Sequence, residues 1–205
     1  MNKNREYSIS ILLPTRGRTD ALDRSVKSVI EKADNIDRVQ IMLGFDNDDT
    51  VGLEHFEKNL QPWLDDHNIN YTACGFEPLG YTRLNEYVNE MASQTNSDWL
   101  VFWNDDAIME TQGWDTVISS YTGQFKLLAF HTHHDHPYSI FPIVPREWYD
   151  ITGYLCPHQV SDAWLSQQAY MLDVWQRIEV WVTHDRHDLT GNNKDETFAK
   201  RQMLE

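Results

Sequence analysis

The feature that most constrains this chain is an apolar segment that ends in two adjacent aspartates. Residues 96–110 read NSDWLVFWNDDAIME, in which five apolar side chains at 99–103 are followed by Asn104, Asp105 and Asp106. A continuous apolar run between polar residues predicts a strand that is buried on both faces of a sheet. Adjacent carboxylates repel each other unless a cation or hydrogen-bond donors hold them, and Mg²⁺ and Mn²⁺ prefer such oxygen ligands. An acidic turn that merely leaves a strand is the alternative.

Predicted strands and helices alternate over the first half of the chain. Apolar runs rich in β-branched residues predict strands at residues 7–13, 39–45, 69–75 and 99–103. Apolar residues at helical spacing predict helices at 19–33 and 82–95, with a shorter helix around Trp63 in an otherwise irregular stretch. Thr19 or Asp20 is expected to cap the first helix. This order predicts an α/β fold with a mostly parallel central sheet flanked by helices, in which ligands bind at the carboxyl ends of the strands.

The loop after the second predicted strand carries polar residues that could have a functional role. The second strand ends in Asp46-Asn47-Asp48-Asp49, and Val51 stands where a calcium loop of the EF-hand type needs glycine. We therefore interpret this segment as a binding or capping loop, with Asp48 and Asp49 solvated.

The second half of the chain differs from the first in its pattern of predicted strands and helices. Strands are predicted at 125–131, 140–144 and 177–183, and helices after Pro145 and at 161–173, where Ser161 is a plausible cap. A histidine cluster at 131–136 could form a second metal site, but we favour a loop that lines a binding cleft.

The composition limits the classes of partner. The 205 residues include 17 basic and 32 acidic side chains, a net charge of −15, which disfavours non-specific binding to nucleic acid or anionic membrane. Cys74 and Cys156 are too few for a disulfide framework or a zinc site. No segment reaches the length of a membrane span, and the N-terminus lacks a secretory signal. We predict one cytoplasmic domain, residues 1–205, in a reduced state.

Four segments, in this order, resemble a family-2-like glycosyltransferase with the GT-A fold, of a small bacterial or bacteriophage type. They are ILLPTRGR, Asp46 in GFDNDDT, GYTRLN, and WNDDA as the counterpart of the metal-binding D-x-D. The resemblance implies a Rossmann-like sheet, with a nucleotide-sugar and metal half at 1–110 and a short acceptor-binding half at 111–205. Two positions depart from the family pattern: Asn104 takes the first place of the D-x-D, and Leu84 separates Arg83 from Asn85.

The resemblance also implies a role for each matching residue. The donor-binding residues would be Pro14, Thr15, Arg16, Asp46, Arg83 and Asp105. Asp106 and His184 would bind the metal, Mn²⁺ or Mg²⁺, and Asp162 would be the general base. His133, Trp148 and Trp164 are candidate acceptor contacts, although aromatic residues of this kind more often belong to a core.

The implied reaction is metal-dependent transfer of a sugar from a nucleotide-diphosphate donor, with uridine as the expected nucleoside, to a hydroxyl acceptor. A metal neutralises the leaving diphosphate, Arg16 or Arg18 could hold phosphate oxygens with a planar fork, and a carboxylate base would give inversion. A metal-dependent nucleotidyltransferase and a non-catalytic nucleotide- or sugar-binding module stay open as alternatives, and Asn104 favours the second. The acceptor could be a saccharide, a lipid-linked compound or a modified base in phage DNA.

Overall fold

The computed structural model describes residues 7–133 and 136–191. Its strands are β1 (Tyr7–Thr15), β2 (Val39–Asp46), β3 (Tyr71–Phe76), β4 (Ser97–Phe102), β5 (Ala107–Met109), β6 (Leu127–Thr132), β7 (Ile143–Pro145) and β8 (Trp175–His184). Its helices are α1 (Thr19–Glu31), α2 (Thr50–His55), α3 (Gln61–Asp66), α4 (Leu84–Ser93), α5 (Trp114–Ser119), α6 (Arg146–Thr152), α7 (Ser161–Met171) and α8 (His187–Thr190). In this described part, no helix has both the length and the apolar character that crossing a membrane requires.

All strands join one sheet, in the order β3-β2-β1-β4-β7-β6-β8-β5. The first four strands of this order run parallel to one another, so β1, β2 and β4 end at the same edge. Beyond β4, β7 pairs antiparallel with both β4 and β6, while β6 and β8 pair in parallel. The predicted mostly parallel α/β sheet is confirmed. The edge formed by the carboxyl ends of β1, β2 and β4 is where a ligand site is expected.

A separate apolar core lies on each face of the sheet. In β1, Ile9, Ile11 and Leu13 belong to one core and Leu12 to the other, as the two-residue period of a strand requires. The first core takes in α1, whose predicted apolar face is confirmed. The second core takes in α4, α6 and α7, and both faces of the central strands are therefore shielded from water, which explains their continuous apolar sequences.

The structure departs from the sequence predictions at several local points. The stretch predicted to be mainly irregular is helical from Thr50 to Asp66, through a π-helical segment at Phe56–Leu60. The short elements β5 and α5 have no counterpart among the predictions, because three to six residues carry too little periodicity.

The predicted caps at the starts of α1 and α7 are wrong. The cap positions are occupied by Arg18 and Val160, neither of which gives a side-chain cap. Both helices begin at their predicted first residue, so Thr19 and Ser161 lie inside the first turn and not at the cap position.

Candidate functional site

The two aspartates of WNDDA lie in the turn between β4 and β5, at the edge where β1, β2 and β4 end. Both are almost fully buried, with 6% of each residue exposed. The turn is fixed from α1, because the hydroxyl of Ser25 donates to the carbonyl of Asn104 at 3.0 Å and accepts from the indole N–H of Trp103 at 2.8 Å. These bonds fix the turn that carries Asp105 and Asp106.

Asp105 is held by two donors from the turn after β1. Thr15 Oγ1 donates to Asp105 Oδ2 at 2.8 Å, and Arg18 Nη1 donates to Asp105 Oδ1 at 2.9 Å. The same Arg18 nitrogen lies 3.4 Å from Asp106 Oδ2. Burial raises the pKa of Asp105 to about 6, and the neighbouring charge of Asp106 acts in the same direction, against Arg18 and Thr15.

Asp106 also faces a histidine from the end of β8. The Nε2 atom of His184 lies 3.4 Å from Asp106 Oδ1, and the backbone N–H of Asp185 donates to the Asp106 carbonyl at 2.7 Å. Burial alone would raise the pKa of Asp106, but His184 and Arg18 outweigh it and hold the pKa below its usual value. Asp106 Oδ1 and His184 Nδ1 are both buried without a hydrogen-bond partner.

The donor set of this site fits part of a metal shell. Among residues 7–133 and 136–191, no group of three or more His, Cys, Asp or Glu side chains is arranged to hold a metal ion. Asp106 and His184 supply one oxygen and one nitrogen that face each other across 3.4 Å. A carboxylate and an imidazole suit Mn²⁺, and any bound ion would need its other ligands from water or from a bound anion.

The turn after β1 is tied to the loop after β2 by two further contacts. Arg16 Nη1 donates to Asp46 Oδ2 at 2.7 Å, and the same guanidinium group pairs with Asp48, including an Nη2–Oδ2 contact of 3.2 Å. The N–H of Gly17, which adopts a φ of 68°, donates to Asp49 Oδ2 at 2.8 Å. These contacts raise the pKa of Arg16 above its usual value through the bonds to Asp48 and Asp46.

The prediction that Asp49 is solvated is wrong. The residue is 7% exposed and caps α2, since its Oδ1 accepts from the N–H of Gly52 at 3.1 Å while Oδ2 takes the Gly17 N–H. A carboxylate that receives two backbone N–H groups can be buried without a large penalty. Asp48, by contrast, has 54% of its side chain exposed, as predicted.

Tyr87 is a part of this region that sequence reasoning missed. Its hydroxyl donates to Asp46 Oδ1 and accepts from the N–H groups of Leu79 at 2.8 Å and Gly80 at 3.3 Å. Asp46 is thus clamped between Tyr87 and Arg16. A tyrosine on the apolar face of a predicted helix gives no signal of this role.

The other two predicted donor residues, Pro14 and Arg83, have contacts with residues other than Asp105 and Asp106. Pro14 is in β1 and sits opposite Gly44 of β2. Arg83 lies in the short turn Tyr81–Arg83, is 53% exposed in its side chain, and pairs with Glu86. These contacts do not show whether Pro14 and Arg83 bind a nucleotide-sugar donor, and that role stays a prediction.

The candidate acceptor residues fall into two different environments. The exposed ring of His133 lies 3.0 Å from both carboxyl oxygens of Glu110, and its ring centroid is 5.6 Å from that of Trp181. Trp148 is 5% exposed and packs edge-on against Trp164 in the second core, with centroids 6.2 Å apart. The structure therefore does not gather His133 and the two tryptophans into one cluster.

The predicted base lies at the start of α7. Asp162 Oδ1 accepts a hydrogen bond from the N–H of Ala163 at 2.8 Å, which is a helix-start contact. Its role as a base stays a prediction. Within the histidine cluster, His131 stacks on Trp181 with centroids 4.7 Å apart, and His134 lies outside the described residues.

No protein-family model and no curated protein matches this sequence. Its fold does match solved structures. The mannosyltransferase PcManGT from Pyrobaculum calidifontis, in complex with GDP-Man and Mn²⁺, aligns with a TM-score of 0.71 at 10% identity over 98% of this chain. S. aureus TarS 1–349 with UDP-GlcNAc gives 0.67 at 12% over 96%, and GalNAc-T7 with UDP, GalNAc and Mn²⁺ gives 0.68 at 11% over 86%.

This chain has the GT-A glycosyltransferase fold. The predicted fold is confirmed, whereas the small bacterial or bacteriophage type stays a prediction. The GT-A fold of this chain spans only part of these proteins, 64% of the mannosyltransferase, 65% of TarS 1–349 and 43% of GalNAc-T7. Identities of 10–13% show a shared fold and leave the activity to be argued from the site itself.

Proposed function

We propose that this chain transfers a sugar from a nucleotide-diphosphate donor, in the first place a UDP-sugar, to a hydroxyl acceptor with the help of Mn²⁺ or Mg²⁺. In this proposal residues 1–110 bind the donor and metal, and residues 111–205 bind the acceptor. The donor contacts are Pro14, Thr15, Arg16, Asp46, Arg83 and Asp105. A cytoplasmic location is part of the proposal and rests on the sequence alone.

The observation that carries the proposal is the pair formed by Asp106 and His184. A buried carboxylate oxygen without a hydrogen bond is costly unless something else binds it. Here that oxygen faces an imidazole nitrogen at 3.4 Å. Two neighbouring ligands of a six-coordinate ion, each at about 2.1 Å from it, are separated by about 3 Å. Asp106 and His184 would therefore be able to hold one divalent ion together.

Residues of this chain would orient the donor and accept the proton of the acceptor hydroxyl. When bound, a divalent metal would supply Lewis-acid neutralisation of the leaving diphosphate. Asp46, fixed by Tyr87 and Arg16, would orient the nucleoside through hydrogen bonds. Asp162 would accept the proton of the incoming hydroxyl, a contribution of roughly 10²–10⁴ in rate, and attack on the face opposite the leaving group would invert the anomeric centre.

The structures with the same fold support the choice of ligands. The mannosyltransferase carries GDP-Man and Mn²⁺, TarS 1–349 was obtained with UDP and with UDP-GlcNAc, and GalNAc-T7 carries UDP and Mn²⁺. We therefore place uridine and guanosine diphosphates, with Mn²⁺, first among the ligands to test.

The test is a calorimetric titration with UDP and with GDP, each with and without Mn²⁺. We expect one of them to bind only when Mn²⁺ is present, and Asp106→Asn to abolish that binding. Asp150→Asn is the matched control, because Asp150 is a partly exposed carboxylate on α6 that pairs with Arg146 and should leave binding unchanged. Absence of binding by both diphosphates in the presence of Mn²⁺ would contradict the proposal.

A non-catalytic binding module of the same fold is the second candidate, and Asn104 is the observation that favours it. The residue replaces the first carboxylate of the D-x-D pattern, and the structure uses its carbonyl to fix the turn. Release of UDP from UDP-sugars, with and without a panel of hydroxyl acceptors, separates the two. Donor binding without any turnover would favour the module, whereas turnover that Asp162→Asn reduces at least a hundredfold would support the transferase and its base.

A further inference from the structure

Arg18 lies against the acid pair, although it is not among the donor contacts of the proposed reaction. It is the residue that precedes α1, and 16% of its side chain is exposed. Its Nη1 atom contacts both members of the acid pair, at 2.9 Å from Asp105 Oδ1 and 3.4 Å from Asp106 Oδ2. The guanidinium group is thus already a cation beside Asp106, the carboxylate that would bind a metal.

The backbone gives Arg18 a fixed point of attachment. Gly17, with a φ of 68°, directs its N–H to Asp49, and the carbonyl of Arg18 accepts the N–H of Leu22 in the first turn of α1. An arginine side chain anchored in this way can still redirect its terminal group by rotation about several bonds. Arg16 is placed differently, because its guanidinium is bound by Asp46 and Asp48 on the neighbouring loop.

A metal ion at Asp106 and His184 would approach Asp106 from the oxygen that Arg18 does not contact. His184 faces Oδ1 and Arg18 faces Oδ2. Both cations would then share one carboxylate, and their mutual repulsion in a buried site is strong. An anion that binds both positive groups removes this conflict, and a diphosphate is such an anion.

We propose that Arg18 is the resident counter-cation of Asp105 and Asp106 before the donor binds, and that its guanidinium group passes to the donor's diphosphate when metal and donor enter together. Arg18 thereby competes with the metal in the empty site and cooperates with it in the loaded one. This inference rests on the proposed function for its second half. The first half, competition with the metal, concerns the protein without nucleotide and can be tested separately.

The first experiment titrates Mn²⁺ into the protein without nucleotide. Binding is measured by calorimetry and by the electron paramagnetic resonance signal of free Mn²⁺. Arg18→Gln keeps a polar side chain of similar reach and removes the charge. We expect it to bind Mn²⁺ at least about tenfold more tightly than the wild type. Arg38→Gln is the matched control, since Arg38 precedes β2 at the opposite end of the strands and bonds to Ser8. It should stay within about twofold of the wild type.

Arg18→Lys distinguishes the effect of the positive charge from that of the guanidinium shape. It keeps the competing charge, so its affinity for Mn²⁺ should stay within about threefold of the wild type. Equal or weaker Mn²⁺ binding by Arg18→Gln would overturn the counter-cation role, and so would an Arg18→Lys variant that gains as much affinity as Arg18→Gln. Circular dichroism of each variant checks that the fold is retained.

The second experiment measures UDP and GDP binding at saturating Mn²⁺. Arg18→Gln should now bind the diphosphate at least about tenfold more weakly than the wild type, because a charge-assisted bond is lost. Opposite changes in one variant, tighter metal and weaker diphosphate, are the signature of the exchange. Unchanged diphosphate affinity would overturn the transfer to the donor. If neither diphosphate binds the wild type, the proposed function and the transfer fail together, while tighter Mn²⁺ binding by Arg18→Gln would still establish the counter-cation.

Discussion

Removal of the Tyr87 hydroxyl should lower the free energy of unfolding of the protein. Tyr87→Phe leaves Asp46 without one of its donors and leaves the N–H groups of Leu79 and Gly80 without their acceptor. Tyr87 and Asp46 are 6% and 5% exposed, so water does not readily replace the lost bonds. A buried polar group left unsatisfied costs about 1–3 kcal/mol. Because three groups are affected and the loop around Gly80 can relax, we expect a loss of about 2–4 kcal/mol.

The assay is urea unfolding at pH 7, with Tyr170→Phe as the matched control. The hydroxyl of Tyr170 donates to the carbonyl of Pro137 at 3.0 Å, but the residue is 50% exposed, and its loss should cost less than about 1 kcal/mol. A Tyr87→Phe variant that unfolds within 0.5 kcal/mol of Tyr170→Phe would refute the claim that Tyr87 clamps Asp46.

The pH dependence of the same pair of proteins gives an independent check. Burial and the hydrogen bond to Asp46 raise the pKa of Tyr87 above that of an unfolded tyrosine, about 10. Above this pH the folded wild type retains more protons than the unfolded chain, so its stability falls as pH rises, by at most about 1.4 kcal/mol per pH unit for one group. The phenylalanine variant lacks this group. The stability difference between the two proteins should therefore shrink above pH 10, and a constant difference would contradict the assignment.

Three further changes test other parts of the structure. Asp49→Ala should lower the free energy of unfolding by about 1–2 kcal/mol, because α2 loses its cap; a change below 0.5 kcal/mol in urea would contradict the capping role. Gly44→Ala places a methyl group 3.0 Å from the ring of Phe76 in the second core and should cost about 1–3 kcal/mol; a neutral effect on the melting temperature would contradict this close packing. Cys74 and Cys156 are buried with raised pKa values, so a disulfide reagent at pH 8 should label them only slowly; labelling as fast as in urea would show that they are accessible.

The elements that sequence reasoning predicted are those whose signal is local. The apolar runs of β1, β2 and β4 read directly as buried strands, and each ends where a polar cluster begins. The acid pair follows from this pattern, because the end of a buried parallel strand is the place where a sheet presents side chains to a ligand. The apolar face of α1 follows from helical periodicity in the same way.

The pairing of charges could not be predicted, because it joins residues that are far apart in sequence. Arg18 and Asp105 are 87 positions apart, and Tyr87 and Asp46 are 41 apart. Arg16 and Arg18 lie on either side of Gly17, which has a φ of 68°, and they pair with different aspartates. The burial of Asp49 was missed for a related reason: its two N–H partners come from a helix start and from another loop.

The charges around the turn after β1 bear on whether a diphosphate can bind without a metal. Within the described part of the chain, the carboxylates of Asp46, Asp48, Asp49, Asp105 and Asp106 contact residues 15–18, and the turn itself contributes the guanidinium groups of Arg16 and Arg18. When ionised, these carboxylates outnumber the two guanidinium groups of the turn. A diphosphate brought to this edge would be repelled unless cations enter with it. The fixed negative charge therefore favours a donor that arrives with a divalent metal. It predicts that any residual affinity for UDP without Mn²⁺ falls further as the ionic strength is lowered, because less salt screens the repulsion.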